Sequence, residues 1–183
     1  MNNSKIKFLT ESAILICLST VLSFVTVFKM PLGGSVTLFS MLPVCLISIS
    51  YGIKKGIFSA FVYSIIQLVL NVGELASFGI NSTAFVGSLF FDYIFAYSAL
   101  GFAGIFGKKS VKNICFGVVL AVFLRFFSHF VSGTLFFKAF CPDGWNYILY
   151  SLCYNGAYML PEVIFTLLGT ILILKTSFCK FFK

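Results

Sequence analysis

Charge is scarce in this chain and acidic charge scarcest: 10% of its 183 residues are charged, with five Asp and Glu against thirteen Lys and Arg. A soluble domain carries roughly a quarter charged residues, so this composition excludes an ordinary water-facing globular surface. There is one histidine, so no HExxH zinc motif exists; GxSxG and paired carboxylates on neighbouring turns are missing too. These absences argue against a membrane-embedded protease or lipid hydrolase, and the chain reads as no enzyme. It also lacks a Gly-rich phosphate loop with Lys and Ser or Thr, so any energy from ATP must come from partners. The six cysteines, Cys17, Cys45, Cys115, Cys141, Cys153 and Cys179, share no repeated spacing, which indicates neither a zinc site nor a disulfide framework. No metal or other cofactor is expected.

What the chain has is apolar length. Sixty per cent of its residues are hydrophobic and its mean hydropathy is +1.05, the composition of an integral membrane protein. Apolar runs cover about 8–28, 36–53, 56–72, 84–106, 113–137 and 147–174. Each is close to the length needed to cross a bilayer as a helix. They show no strict alternation, so helices fit better than barrel strands. The expectation is an all-α membrane protein, one integral domain over 1–183 with six transmembrane helices. The runs at 36–53 and 56–72 are short and joined by a tight turn at Gly52 to Gly56. The N-terminal run is too long for a secretory signal and no small-residue cleavage site follows it, so it reads as the first span.

The formal charge of +8 does not point to nucleic acid, because the basic residues fall between apolar runs instead of lining one polar face. Lys5, Lys7, Lys54, Lys55, Lys108, Lys109, Lys112, Lys175, Lys180 and Lys183 fall on one side of the six-span reading, and only Lys29 and Lys138 on the other. Positive charge marks the cytoplasmic side, which places both termini in the cytoplasm of a cell-membrane protein. The loop from Met30 to Ser35, the stretch 73–83 and the turn from Cys141 to Trp145 then face outward.

Three of the runs carry polar groups at one depth. Asp92 lies about 12 Å below the outer end of the fourth run and His129 about 12 Å below that of the fifth; Asn155 sits near the same level in the sixth. On a helical wheel Tyr147, Tyr150, Ser151, Tyr154, Asn155, Tyr158 and Glu162 share an arc, and so do Arg125, Ser128, His129, Ser132 and Gly133. Ionisable groups at membrane depth mark functional sites by default. A carboxylate amid tyrosines, with Trp145 at the mouth, suits a small cation with flat rings, held by charge, ring stacking and hydrogen bonds. Arg125 and Glu162 both fall deeper than Asp92, so an ion pair between them is expected beneath the pocket, leaving Asp92 to the ligand. On the first run Ala13 and Cys17 are small residues four apart, a pattern that lets another helix approach closely.

Four stretches, MPLGGSVTLFSMLP from Met30, FFDYIFAYSALGFAGIF from Phe90, LRFFSHFVSGTLFF from Leu124 and YSLCYNGAYMLP from Tyr150, occur in order on six spans. In this the chain resembles the thiamine-specific substrate-binding (S) component of energy-coupling factor vitamin transporters. The resemblance implies capture of thiamine from outside by a subunit that works with a transmembrane coupling subunit and two ATPase subunits. It implies a substrate site at Asp92, Tyr93, His129, Tyr150 and Asn155, to which the helical-wheel reading adds Gly133 and Tyr154, with Phe137 and Trp145 as candidate stacking rings. It also implies a lid loop containing Pro31, Gly33, Gly34 and Ser35, and docking on the coupling subunit through Ala13 and Cys17. Some relatives have Glu where Asp92 stands, and Trp where Phe137 and Gly34 stand, so ring stacking is left among Phe137, Trp145 and a tyrosine. A different reading, a stand-alone secondary carrier of an organic cation, is disfavoured by the lack of inverted repeats.

Overall fold

The computed structural model describes residues 3–176; Cys179, Lys180 and Lys183 lie outside the described residues. Among the described residues the helices of ten residues or more are α1 (Asn3–Ser23), α2 (Leu42–Tyr51), α3 (Ile53–Ser77), α4 (Ser82–Gly104), α5 (Val111–Phe136) and α6 (Tyr147–Lys175). All but α2 are long and apolar enough to cross a bilayer. Their buried faces are narrow and their outward faces apolar: α6 buries Ser151, Asn155, Glu162 and Thr166 while Leu152, Leu160, Ile164 and Leu168 are exposed. Polar-in and apolar-out is the pattern a lipid solvent demands.

Two expectations change. The run 36–53 yields only the ten-residue α2, and the end of the run 8–28 is a strand. Strands β1 (Thr26–Lys29) and β2 (Ser35–Thr37) form an antiparallel hairpin, with Lys29 opposite Ser35 and Phe28 opposite Val36. Composition hid this, because Val-Thr-Val-Phe and Ser-Val-Thr are apolar enough to extend a helical run and also rich in β-branched residues, which favour strands. Turn chemistry decides: Gly33 takes φ 85°, and Met30 N–H donates to the Gly34 carbonyl at 2.6 Å, closing the loop between the strands.

The helices meet through small residues. Ser48 of α2 donates to the Gly101 carbonyl at 2.5 Å and accepts from Gly104 N–H at 2.9 Å. Gly101 lies against the Ile57 backbone, Gly56 against Ser48, and Gly117 against the Ala103 carbonyl. Backbones this close gain dispersion contacts that acyl chains do not supply, and they fix α4 between α3 and α5. The helix starts are capped: Asn81 accepts from Ala84 N–H at 2.8 Å, Ser110 from Asn113 N–H at 3.1 Å, and Asn146 from Ile148 N–H at 2.8 Å.

Candidate functional site

Helix α4 does not run as a uniform α-helix. Leu89–Phe95 is wound as a π-helix, and the last turns, Ala99–Gly104, tighten to 3-10 geometry. Single π turns inside α-helices recur at functional sites because the extra residue re-aims side chains and frees carbonyls. Here Ser128 of α5 donates to the Phe91 carbonyl at 2.5 Å, and Asp92 in the same wide turn is aimed at α5. Its Oδ1 lies 2.9 Å from His129 Nδ1, and its Oδ2 accepts from Ser132 Oγ at 2.5 Å. On the far side of the ring, Arg125 Nε donates to His129 Nε2 at 3.4 Å. A ring nitrogen that accepts carries no proton, so Nδ1 holds the proton and donates to Asp92. Arg125, neutral His129 and Asp92 thus form one relay.

The expected ion pair between Arg125 and Glu162 is absent among the described residues. Arg125 lays its guanidinium 4.1 Å from the Tyr97 ring centroid and turns Nε to His129. Glu162 instead binds Thr37: its Oε1 accepts from the backbone N–H and from the hydroxyl, both at 2.6 Å. Both helices put these side chains at similar depth, as the wheel predicted, but the hairpin stem intervenes as a partner no wheel contains.

Helix α6 contributes a ladder of tyrosines at every fourth position. Tyr150, Tyr154 and Tyr158 follow one another at ring spacings of 6.0 and 6.1 Å, and Tyr158 meets the His129 ring edge-on at 5.9 Å. Asn155 is tied into the bundle: its amide nitrogen donates to the Ser151 carbonyl at 2.9 Å, and its Oδ1 accepts from Tyr158 OH at 2.8 Å. Gly133 allows this, because a Cβ there would collide with Ser151 Oγ and come 3.2 Å from Asn155 Nδ2.

The hairpin closes over this ladder. Leu32 N–H donates to Tyr154 OH at 3.1 Å, and a Cβ on Gly34 would sit 2.7 Å from the Tyr158 ring. Lys29 on β1 pairs with Glu74 of α3 at 3.0 Å. Beneath the hairpin is a cavity of about 190 Å³. Asp92, Tyr93, His129, Gly133, Phe137, Tyr150, Tyr154 and Asn155 all line it, as do Gly33, Gly34 and Ser35 of the loop. Pro31 is exposed on the loop, outside the lining. Trp145 also lies elsewhere, 59% exposed in the turn before α6, where its carbonyl accepts from Cys141 Sγ at 3.5 Å. Ala13 and Cys17 are exposed on α1, opposite its buried Ser12, Ile16 and Ser19.

Sequence reasoning missed one wall. Gln67, Asn71 and Glu74 of α3 line the cavity, and Asn71 Nδ2 donates to the Gln67 carbonyl at 2.7 Å. Their spacing of four and three puts them on one helical face, a signal present in the run 56–72 and the residues just after it.

Long apolar helices around a polar cavity, with its charged and aromatic groups drawn from four helices and a hairpin lying across it, define a multi-pass membrane protein of the transporter class. The chain belongs to the Thiamine transporter protein (Thia_YuaJ) family, whose model matches residues 9–182. It is a multi-pass protein of the cell membrane. It is similar to the thiamine transporter ThiT of Bacillus subtilis strain 168, at 33% identity over 97% of this chain and 95% of that one. The thiamine transporter ThiT of Lacticaseibacillus paracasei is 24% identical over 70% of this chain and 68% of that one. A solved structure of ThiT from Listeria monocytogenes superposes with a TM-score of 0.81 at 26% identity, covering 98% of this chain and 99% of that one.

Proposed function

We propose that this protein binds thiamine in the cavity beneath the hairpin and passes it inward as the S component of an energy-coupling factor importer, powered by a transmembrane coupling subunit and two ATPase subunits. The observation that carries the reading is the meeting of Asp92, His129 and the tyrosine ladder in one cavity, on a chain of the thiamine transporter family. Thiamine offers a cationic ring, a flat aminopyrimidine and a hydroxyl. In this reading the tyrosine faces and Phe137 of the lining stack on those rings, and Asp92, His129 and Tyr150 meet their polar edges.

The cavity opens on the outer side in this reading. Support comes from the lysines: Lys54, Lys55, Lys108, Lys109 and Lys112 cluster at the helix starts and loop of one end of the bundle, whereas two, Lys29 and Lys138, lie toward the hairpin end. The exposed Ala13 and Cys17, flanked by exposed Ile14 and Leu18, give α1 a face on which the coupling subunit docks.

Titration of the purified protein with thiamine by isothermal calorimetry tests the reading. Submicromolar affinity is expected, and a Kd weaker than about 1 mM rejects it. Tyr154→Phe removes the hydroxyl that accepts from Leu32 N–H and leaves the ring. One hydrogen bond contributes about 1 kcal/mol, so thiamine should dissociate about fivefold faster in stopped-flow measurements, with little change in the association rate.

A further inference from the structure

Away from the cavity, a groove runs along the outward surface of the bundle, lined by Phe106 just past α4 and by Asn113, Phe116, Val119, Leu120 and Phe123 of α5. Their spacing puts the α5 residues on one helical face. Phe106, Phe116 and Phe123 are exposed, and Asn113 Nδ2 donates to the Phe106 carbonyl at 3.2 Å, which joins the two walls at the loop end. From Asn113 to Phe123 the helix rises about 15 Å, half of the roughly 30 Å hydrocarbon core. The groove is one leaflet long.

At its loop end stand Lys108 and Lys109, before α5, and Lys112 in the first turn of α5, all exposed. The chain has no acidic residue between Asp92 and Asp143, and none of these three lysines forms an ion pair among the described residues. Other lysines are answered: Lys7 meets Glu11, Lys29 meets Glu74, Lys55 lies over the Phe8 and Tyr51 rings, and Lys138 lies over Tyr147. A neutral lipid would cover the groove and leave this charge unmatched, whereas a soluble anion would match the charge and leave the groove bare. We infer that the groove is a binding site for an anionic phospholipid of the leaflet on the lysine side, with an acyl chain along Phe116, Val119 and Phe123 and the headgroup phosphate among Lys108, Lys109 and Lys112. Such a lipid straps the end of α4 to α5, the helices that carry Asp92 and His129, and so stabilises the folded bundle by mass action.

The test measures binding of dioleoylphosphatidylglycerol and dioleoylphosphatidylcholine to the purified full chain in maltoside micelles, by native mass spectrometry and by thermal melting. The unaltered protein should bind the anionic lipid at least about tenfold more tightly, because each lysine near an anionic headgroup contributes roughly a fivefold attraction. Its Tm should rise with that lipid. Lys108→Gln, Lys109→Gln and Lys112→Gln combined should bring the two lipids within about twofold of one another. The matched control, Lys5→Gln, Lys54→Gln and Lys175→Gln combined, removes the same charge from exposed positions at the same end of the bundle and should keep the preference. Val119→Trp sets a ring in the groove and should weaken both lipids alike. Equal affinity of the unaltered protein for the two lipids overturns the inference, as does an equal loss of preference in the control, unchanged lipid affinity in Val119→Trp, or an equal rise in Tm with soluble glycerol phosphate. None of these outcomes bears on thiamine binding, which the calorimetric titration decides by itself.

Discussion

Asp92→Asn should weaken thiamine binding about a hundredfold, near 3 kcal/mol. The carboxylate accepts from His129 Nδ1 at 2.9 Å and from Ser132 Oγ at 2.5 Å. Hydrogen bonds to a charged acceptor contribute about 1.5–3 kcal/mol each, and an orphaned buried donor adds its own desolvation cost. An asparagine has one acceptor oxygen, so its NH2 group must face either the imidazole proton or the serine hydroxyl. The ring then loses the bond that fixes its tautomer, and Arg125 Nε loses a defined acceptor. Asp92→Glu keeps the carboxylate and should stay within about tenfold of the unaltered protein, since the wide π turn leaves the side chain to reach across to α5. Calorimetric titration of both variants checks this. Equal affinity in Asp92→Asn and the unaltered protein would remove Asp92 from the site.

Gly117→Val should abolish the folded protein. A Cβ at Gly117 would overlap the Ala103 carbonyl oxygen, which is backbone and cannot swing aside as a side chain does. Overpacking of a tight interface costs about 1–3 kcal/mol where side chains can adjust, and more where they cannot. The same region holds Gly101 against Ile57 and Gly104 against Ser48, so α4 has no free direction in which to retreat. Expected are loss of a monodisperse peak on size-exclusion chromatography and loss of a cooperative thermal transition. Gly156→Ala is the control: nothing lies within 4 Å of a Cβ there, and it should behave as the unaltered protein does. A Gly117→Val protein that retains a sharp melting transition would show that α4 and α5 can separate without loss of fold.

The helical half of the fold was legible because lipid imposes one rule on every residue that faces it. The runs at 113–137 and 147–174 fall almost on α5 and α6. Hydropathy has no comparable handle on a buried helix that meets only protein, nor on a β-branched hairpin that is apolar for a different reason. That is why the run at 36–53 read as a longer helix than α2 and the strands were not foreseen. At the site, Asp92, His129 and Asn155 could be placed at one depth from helical rise alone. Their partners could not be, because a wheel assumes 100° per residue and Leu89–Phe95 does not keep it. Arg125 illustrates the limit: its depth matched Glu162, yet direction rather than depth chose His129 and the Tyr97 ring.

Helix α2 reaches further than its ten residues. At 1.5 Å per residue it is about 15 Å long, half the roughly 30 Å of hydrocarbon that a spanning element must cross. The chain between α1 and α2 covers the rest as a hairpin and a corner where Phe39 holds φ 61°. Non-helical backbone survives at such depth only when protein shields it or water wets it. Phe24, Val25, Val27 and Phe28 expose an apolar flank at this point, while Gly33, Gly34, Ser35 and Thr37 of the same hairpin line the polar cavity, so one short backbone unit serves as a wall that is oily on one side and polar on the other.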